Sequence, residues 1–266
     1  CPVELSNEFN EGLDIRKAIY RPYPQAVPNA FLVTKRGTSP CKAACPAETS
    51  AQGYVALIEA GRYEEALEVV REYNPFPASV GRVCTHPCEG ECSRGKLDSP
   101  VAICSLKRFV ADWVYEHGGV SDKALGGDDG VVGRPVVRVA VVGSGPAGLS
   151  CAHHLVRMGY GVTVFESLPV AGGMMRVGIP AYRLPREVLQ REIDVIVSEG
   201  VEIRLNTPVR DINGLFDDGF SAIFLAIGAH EPQRLGIEGE DAAGVYHGVP
   251  FLQAVSLAGG SKGHDQ

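Results

Sequence analysis

Apolar residues recur at helical spacing in two stretches, 50–60 and 63–73, with Gly61 between them as the stop signal. A third helical pattern begins near Pro100 and carries Leu106, Phe109, Val110 and Trp113 toward Gly118 and Gly119. The period then changes. Residues 136–142 are apolar apart from Arg138, a run of the length expected for a buried strand. A helical pattern over 147–158 and a second strand at 162–166 complete a β–α–β opening. Beyond it, 186–199 reads as helix, and 201–205 and 222–227 read as strands that extend the sheet. The predicted class is α followed by α/β, with no internal repeat.

These patterns divide the chain. Residues 1–35, with Tyr20, Pro22, Tyr23 and Pro24 and no sustained period, predict an extended, irregular arm. Residues 36–118 form a small helical domain with few large apolar residues, which bound metal would help to hold together. Residues 119–135, with Gly126, Gly127 and Gly130, read as a flexible linker, and 136–266 as an incomplete α/β domain. The chain begins at Cys1 without an initiator Met and finishes in a polar run, so it reads as part of a longer polypeptide.

Composition narrows the function. The 266 residues carry a net charge of −7 and no long basic stripe, which speaks against nucleic-acid binding. No apolar run approaches the ~18–20 residues of a membrane span. The absence of a secretory signal favours a reducing, cytoplasmic location and counts against a disulfide framework.

The candidate chemistry lies in two places. Gly143-Ser144-Gly145-Pro146-Ala147-Gly148 sits between a predicted strand and a predicted helix, where a glycine turn has meaning as a dinucleotide-binding fingerprint. Gly143 permits the tight turn, Gly145 lets the backbone approach a phosphate, and Gly148 lets helix pack on strand. The helix N-terminus, which opens at Pro146 and Ala147, adds free N–H groups from Ala147 onward. Glu166, about 20 residues on, ends the second strand, where a carboxylate can accept from ribose hydroxyls; this favours FAD or NAD over NADP at the turn. Gly172 and Gly173 offer a second close approach of backbone to cofactor, and Gly228 ends a strand.

Ahead of this turn stand Cys41, Cys45, Cys84, Cys88, Cys92 and Cys104. Zinc sites more often use a closer cysteine pair and recruit histidine. The repeated three-residue gaps, with Pro46 and Pro87 beside cysteines, suit iron–sulfur loops better, while zinc and plain structural thiols remain the alternatives. Cys151 reads as a small buried hydrophobe and His86 as a loop residue. One-electron centres beside a two-electron cofactor predict electron transfer. The rivals are a non-catalytic docking module in a larger redox complex and a zinc-containing NAD-dependent dehydrogenase.

Pro40-Cys41-Lys42-Ala43-Ala44-Cys45-Pro46, Asn74-Pro75-Phe76-Pro77 and Gly81-Arg82-Val83-Cys84-Thr85-His86-Pro87-Cys88-Glu89-Gly90-Glu91-Cys92 resemble the N-terminal domain of the glutamate synthase small (β) subunit family. That family includes the N-terminal part of dihydropyrimidine dehydrogenase and the large subunit of NADH-dependent ferredoxin:NADP oxidoreductase. The glycine turn, Glu166, Gly172-Gly173-Met174 and the segment 178–185 are similar to its FAD half. The resemblance implies FAD at the turn, with Met174 and Arg183 lining it, and [4Fe–4S] clusters on the cysteines. It matches Cys45, Cys88 and Cys92 to one cluster whose fourth ligand falls on Lys107, a position that Cys104, three residues earlier, can replace. It matches Cys41 and Cys84 to half of a second cluster. It further implies NAD(P)H as substrate of the full-length protein and a partner subunit that gives or takes electrons. The arm resembles a stretch of heterodisulfide reductase that follows a ferredoxin-type motif, in which Cys1 would close an upstream cluster motif.

Overall fold

The computed structural model describes residues 38–118 and 137–258 in full, together with the backbone of four short strands ahead of them. The predicted linker, Cys1, most of the arm and the last residues lie outside the described set. Where the arm showed no period, β1 (Glu4–Ser6) pairs antiparallel with β2 (Ile15–Lys17), and β3 (Ile19–Tyr20) with β4 (Leu32–Val33).

The helical domain contains the three predicted helices as α2 (Ala51–Glu59), α3 (Tyr63–Arg71) and α6 (Ile103–Glu116), and three shorter ones, α1 (Pro40–Ala43), α4 (Pro77–Val83) and α5 (Pro87–Gly90). The short helices each begin at a proline, whose fixed φ and missing N–H suit a first helical position. In α3 the acidic Glu64 and Glu65 lie in the first turn and Arg71 in the last, matching the helix dipole. The domain is better supplied with apolar residues than its composition suggested. Tyr54, Leu67, Val70, Ile103, Val110 and Val114 bury one core, with Cys88 at its margin.

The α/β domain is a parallel four-stranded sheet in the order β7-β6-β5-β8, built from β5 (Arg138–Val142), β6 (Gly161–Phe165), β7 (Glu202–Arg204) and β8 (Ala222–Leu225). The predicted helices appear as α7 (Pro146–Arg157) and α9 (Arg186–Ser198). The shorter α8 (Gly173–Val177), α10 (Ile212–Asp217) and α11 (Gly248–Ala258) were not predicted. Val141, Val162, Val164, Leu149, Leu189, Ile193 and Ile196 form the principal core under α7 and α9.

Helix α4 joins the two domains. Phe76, immediately before it, is buried in the α/β core, and Val80 and Val83 pack against that core. Ala78, one residue into the same helix, belongs to the helical core. Burying a phenylalanine side chain contributes about 1.5–3 kcal/mol. The N-terminus of α4 is capped from the other domain: Ala78 N donates to Glu192 Oε1 at 2.6 Å and Ser79 N to Oε2 at 3.0 Å. A second bridge runs from Arg71 Nη2 to Glu199 Oε1 at 2.7 Å, with His153 Nδ1 at 2.5 Å from Glu199 Oε2.

Candidate cofactor sites

Strand β5 has β6 on one side and β8 on the other, so the chain reverses its winding direction at β5. Ligands of open α/β sheets bind at such a point, beyond the carboxyl ends of the strands. A cavity of about 480 Å³ lies there, lined by Val142, Gly143, Gly145, Pro146, Ala147, Glu166, Gly173, Met174, Gly228 and further residues from the loops after β6, β7 and β8.

The glycines explain its shape. Gly148 is buried, and a Cβ there would lie 1.9 Å from the Gly143 carbonyl oxygen, so helix and turn touch backbone to backbone. Gly173 has φ +52°, and a Cβ on it would meet Gly145 Cα at 2.6 Å. Gly145 itself faces open space, with nothing within 4 Å of where a Cβ would stand, which is the clearance a diphosphate needs against a main chain.

Glu166 is more heavily engaged than a free ribose acceptor. Its Oε2 accepts from Ser144 N at 2.9 Å and Ser144 Oγ at 2.5 Å; its Oε1 accepts from Leu168 N at 2.8 Å and Ser167 Oγ at 3.2 Å. Burial alone would raise its pKa, but these donors prevail and hold it below the usual carboxylate range. The residue therefore ties the glycine turn to the end of β6 while lining the cavity. Arg183, expected to line it as well, is exposed and stands outside the lining.

The cysteines fall into two groups that differ from the expected ones. Cys88 interacts with Cys45 and Cys84, and the Cys84 side chain is in hydrogen-bonding contact with Cys104. Lys107, one helical turn after Cys104 on α6, acts on Cys45, Cys88 and Cys104. Cys41 and Cys92 instead line a separate concavity of about 200 Å³ with Gln52, Arg94 and Val101. Cys92 thus lies beside Cys41, while Cys84 stands close enough to Cys88 and Cys104 to act on both. The reason lies in the turns: α4 delivers Cys84 at its C-terminal cap, while His86, in the left-handed region at φ 44°, turns the chain into α5 and brings Cys88 inward. Arg82 clamps α4 to α6 through paired 2.9 Å bonds to Asp112, and Gly81 lets them meet closely.

The thiols differ in character. Burial, with Cys45 and Cys84 nearby, pushes Cys88 up to about 11, and burial also raises Cys104. Burial opposes ionisation of Cys45 too, but hydrogen bonds from the Thr49 backbone and side chain outweigh it and lower the pKa. A backbone bond at Val101 lowers Cys92. The His86 imidazole pairs with Glu89 while its backbone N–H donates to Cys84 Sγ at 3.2 Å, and Cys151 packs against the α/β core. Among the described residues, no three Cys, His, Asp or Glu side chains converge as ligands of one metal ion. A cubane cluster is held at separate iron corners, and the free thiols of Cys45, Cys84, Cys88 and Cys104 are a donor set that suits it.

Residues 20–119 match the family described as dihydropyrimidine dehydrogenase domain II, 4Fe-4S cluster, and residues 137–258 match the pyridine nucleotide-disulphide oxidoreductase family. The chain is 43% identical over 240 residues to the NADP(+)-dependent formate dehydrogenase subunit beta of Moorella thermoacetica, covering 83% of this chain and 34% of that protein. It is 42% identical over 210 residues to the NADPH-Fe(3+) oxidoreductase subunit beta of Geobacter sulfurreducens, covering 77% and 30%. It is 36% identical over 257 residues to the glutamate synthase [NADPH] small chain of Escherichia coli, covering 95% and 50%. The chain thus spans half or less of the length of these relatives. Among the described residues, no helix is long and apolar enough to cross a membrane.

Proposed function

Because this chain is a homologue of the glutamate synthase small chain and related oxidoreductase subunits, uniting an iron–sulfur domain with a pyridine nucleotide-disulphide oxidoreductase domain, we propose that it is the FAD- and [4Fe–4S]-binding portion of an NAD(P)H-linked electron-transfer enzyme. The observation that carries this reading is that one connector, helix α4, packs on the core of the α/β domain that carries the cavity and ends at Cys84 in the helical domain.

In this reading Gly145, Pro146 and Ala147 receive the diphosphate at the α7 N-terminus. Ser144 and Glu166 fix the turn, and Glu166, which lines the cavity, faces the ribose. Cys45, Cys84, Cys88 and Cys104 hold the cluster, and Cys104 takes the place that Lys107, as a cation, cannot. Bound at the cavity, a flavin accepts electron pairs and releases them singly, the exchange that an iron–sulfur centre completes. The residues of the chain itself provide orientation, and no side chain in the cavity is needed as general acid or base. Electrons then pass to or from a partner subunit, and the seven free cysteines among the described residues suit a reducing cytoplasm.

Metal and flavin analysis of the anaerobically purified protein tests the reading. The expected content is about four irons with matching sulfide and one FAD per chain. Cys88→Ala should remove the iron and Cys151→Ala should leave it. Stoichiometric zinc without sulfide would overturn the assignment.

A further inference from the structure

Lys107 is 8% exposed as a whole residue: its stem is buried while its ammonium keeps contact with solvent, and among the described residues no ion pair joins it to a carboxylate. It shares one face of α6 with Cys104, Ala111 and Val114, all buried, and its positive charge acts on Cys45, Cys88 and Cys104. The closest acidic group to those thiols, Glu89, is committed elsewhere: its Oε1 accepts from Cys104 N at 2.8 Å and its Oε2 lies 3.3 Å from His86 Nδ1. An ammonium in such a partly desolvated place is favoured by a counter-charge nearby. Neutral thiols supply no such charge, whereas metal-bound thiolates do. A hydrophobic side chain or a glutamine would fill the position without a charge, so Lys107 is what makes the local field at the thiols positive.

We propose that Lys107 is the counter-cation of the thiolate site and sets its tendency to accept an electron. The inference rests on the cluster assignment to Cys45, Cys84, Cys88 and Cys104. Adding an electron makes the site more negative, and a fixed positive charge in a low-dielectric surrounding favours that state. Glu89 acts on Cys88 and Cys104 with the opposite sign, so the two residues bracket the potential.

The test is an EPR-monitored potential titration of the holoprotein as wild type, Lys107→Met and Lys107→Arg, with iron and sulfide measured on each sample. Lys107→Met should lower the ratio of reduced to oxidised cluster at fixed potential about tenfold, or about 59 mV for one electron. Lys107→Arg should stay close to wild type. Loss of iron from Lys107→Met alone, with Lys107→Arg retaining it, would also support the role. A Lys107→Met protein that keeps both its cluster and the wild-type potential overturns it, as does equal loss of iron from both variants. A wild-type protein lacking iron and sulfide instead overturns the cluster assignment beneath it.

Discussion

At Glu166 four donors converge on two carboxylate oxygens, which accounts for most of the lone pairs a carboxylate offers. Glu166→Ala leaves the N–H groups of Ser144 and Leu168 without an acceptor in a partly buried place. The expected cost is about 1–3 kcal/mol by denaturant unfolding, together with weaker flavin binding in a titration. Unchanged stability would mean that the turn holds itself. The cysteines permit a sharper contrast. Cys84→Ser should lose the cluster measured by iron and sulfide content, while Cys92→Ser should retain it, because Cys92 lines the other concavity with Cys41. The reverse result would restore the grouping read from the sequence. That grouping was implied by the family resemblance, and motifs along the chain do not report which thiols meet once a left-handed residue such as His86 has turned the backbone.

Among the elements, α2, α3 and α6 were legible because each repeats its apolar face over two or more turns, as were the strands and helix around the glycine turn. Helix α4 was not. It is seven residues long, is broken in pattern by Gly81, and owes its apolar contacts to two different cores. Its N-terminus depends on Glu192, whose carboxyl is pushed up to about 7 by burial, in spite of its bonds to Ala78 and Ser79. A carboxyl raised in the folded state binds protons that the unfolded chain has released. Its contribution is therefore complete below the ordinary carboxylate pKa and declines as pH rises through about 7. Stability should fall over that window by on the order of 1 kcal/mol per pH unit, and Glu192→Gln should flatten the fall. Denaturant unfolding at pH 5 and pH 8 measures both, and an equally steep decline in the variant would assign the effect to other groups.

On the scale of the molecule, two cores of different construction share one connector. Helix α4 places Phe76 under the sheet, Ala78 in the helical core and Cys84 among the thiols. The glycine turn and its cavity were readable from sequence because each glycine answers a local backbone requirement. The mutual placement of cavity and thiols was not, since it depends on contacts such as Arg71 with Glu199 that lie 128 residues apart. The central claim is that this arrangement lets the two sites exchange electrons. Illuminating the anaerobic FAD-loaded holoprotein with a sacrificial amine donor reduces the flavin directly, and EPR then follows the cluster in the dark. The account predicts that the signal of a reduced [4Fe–4S] cluster grows as the flavin reoxidises, and that Cys88→Ala abolishes it. A flavin that stays reduced beside an oxidised cluster, when dithionite reduces that same cluster, would contradict the account and leave the chain a docking module with two unconnected sites.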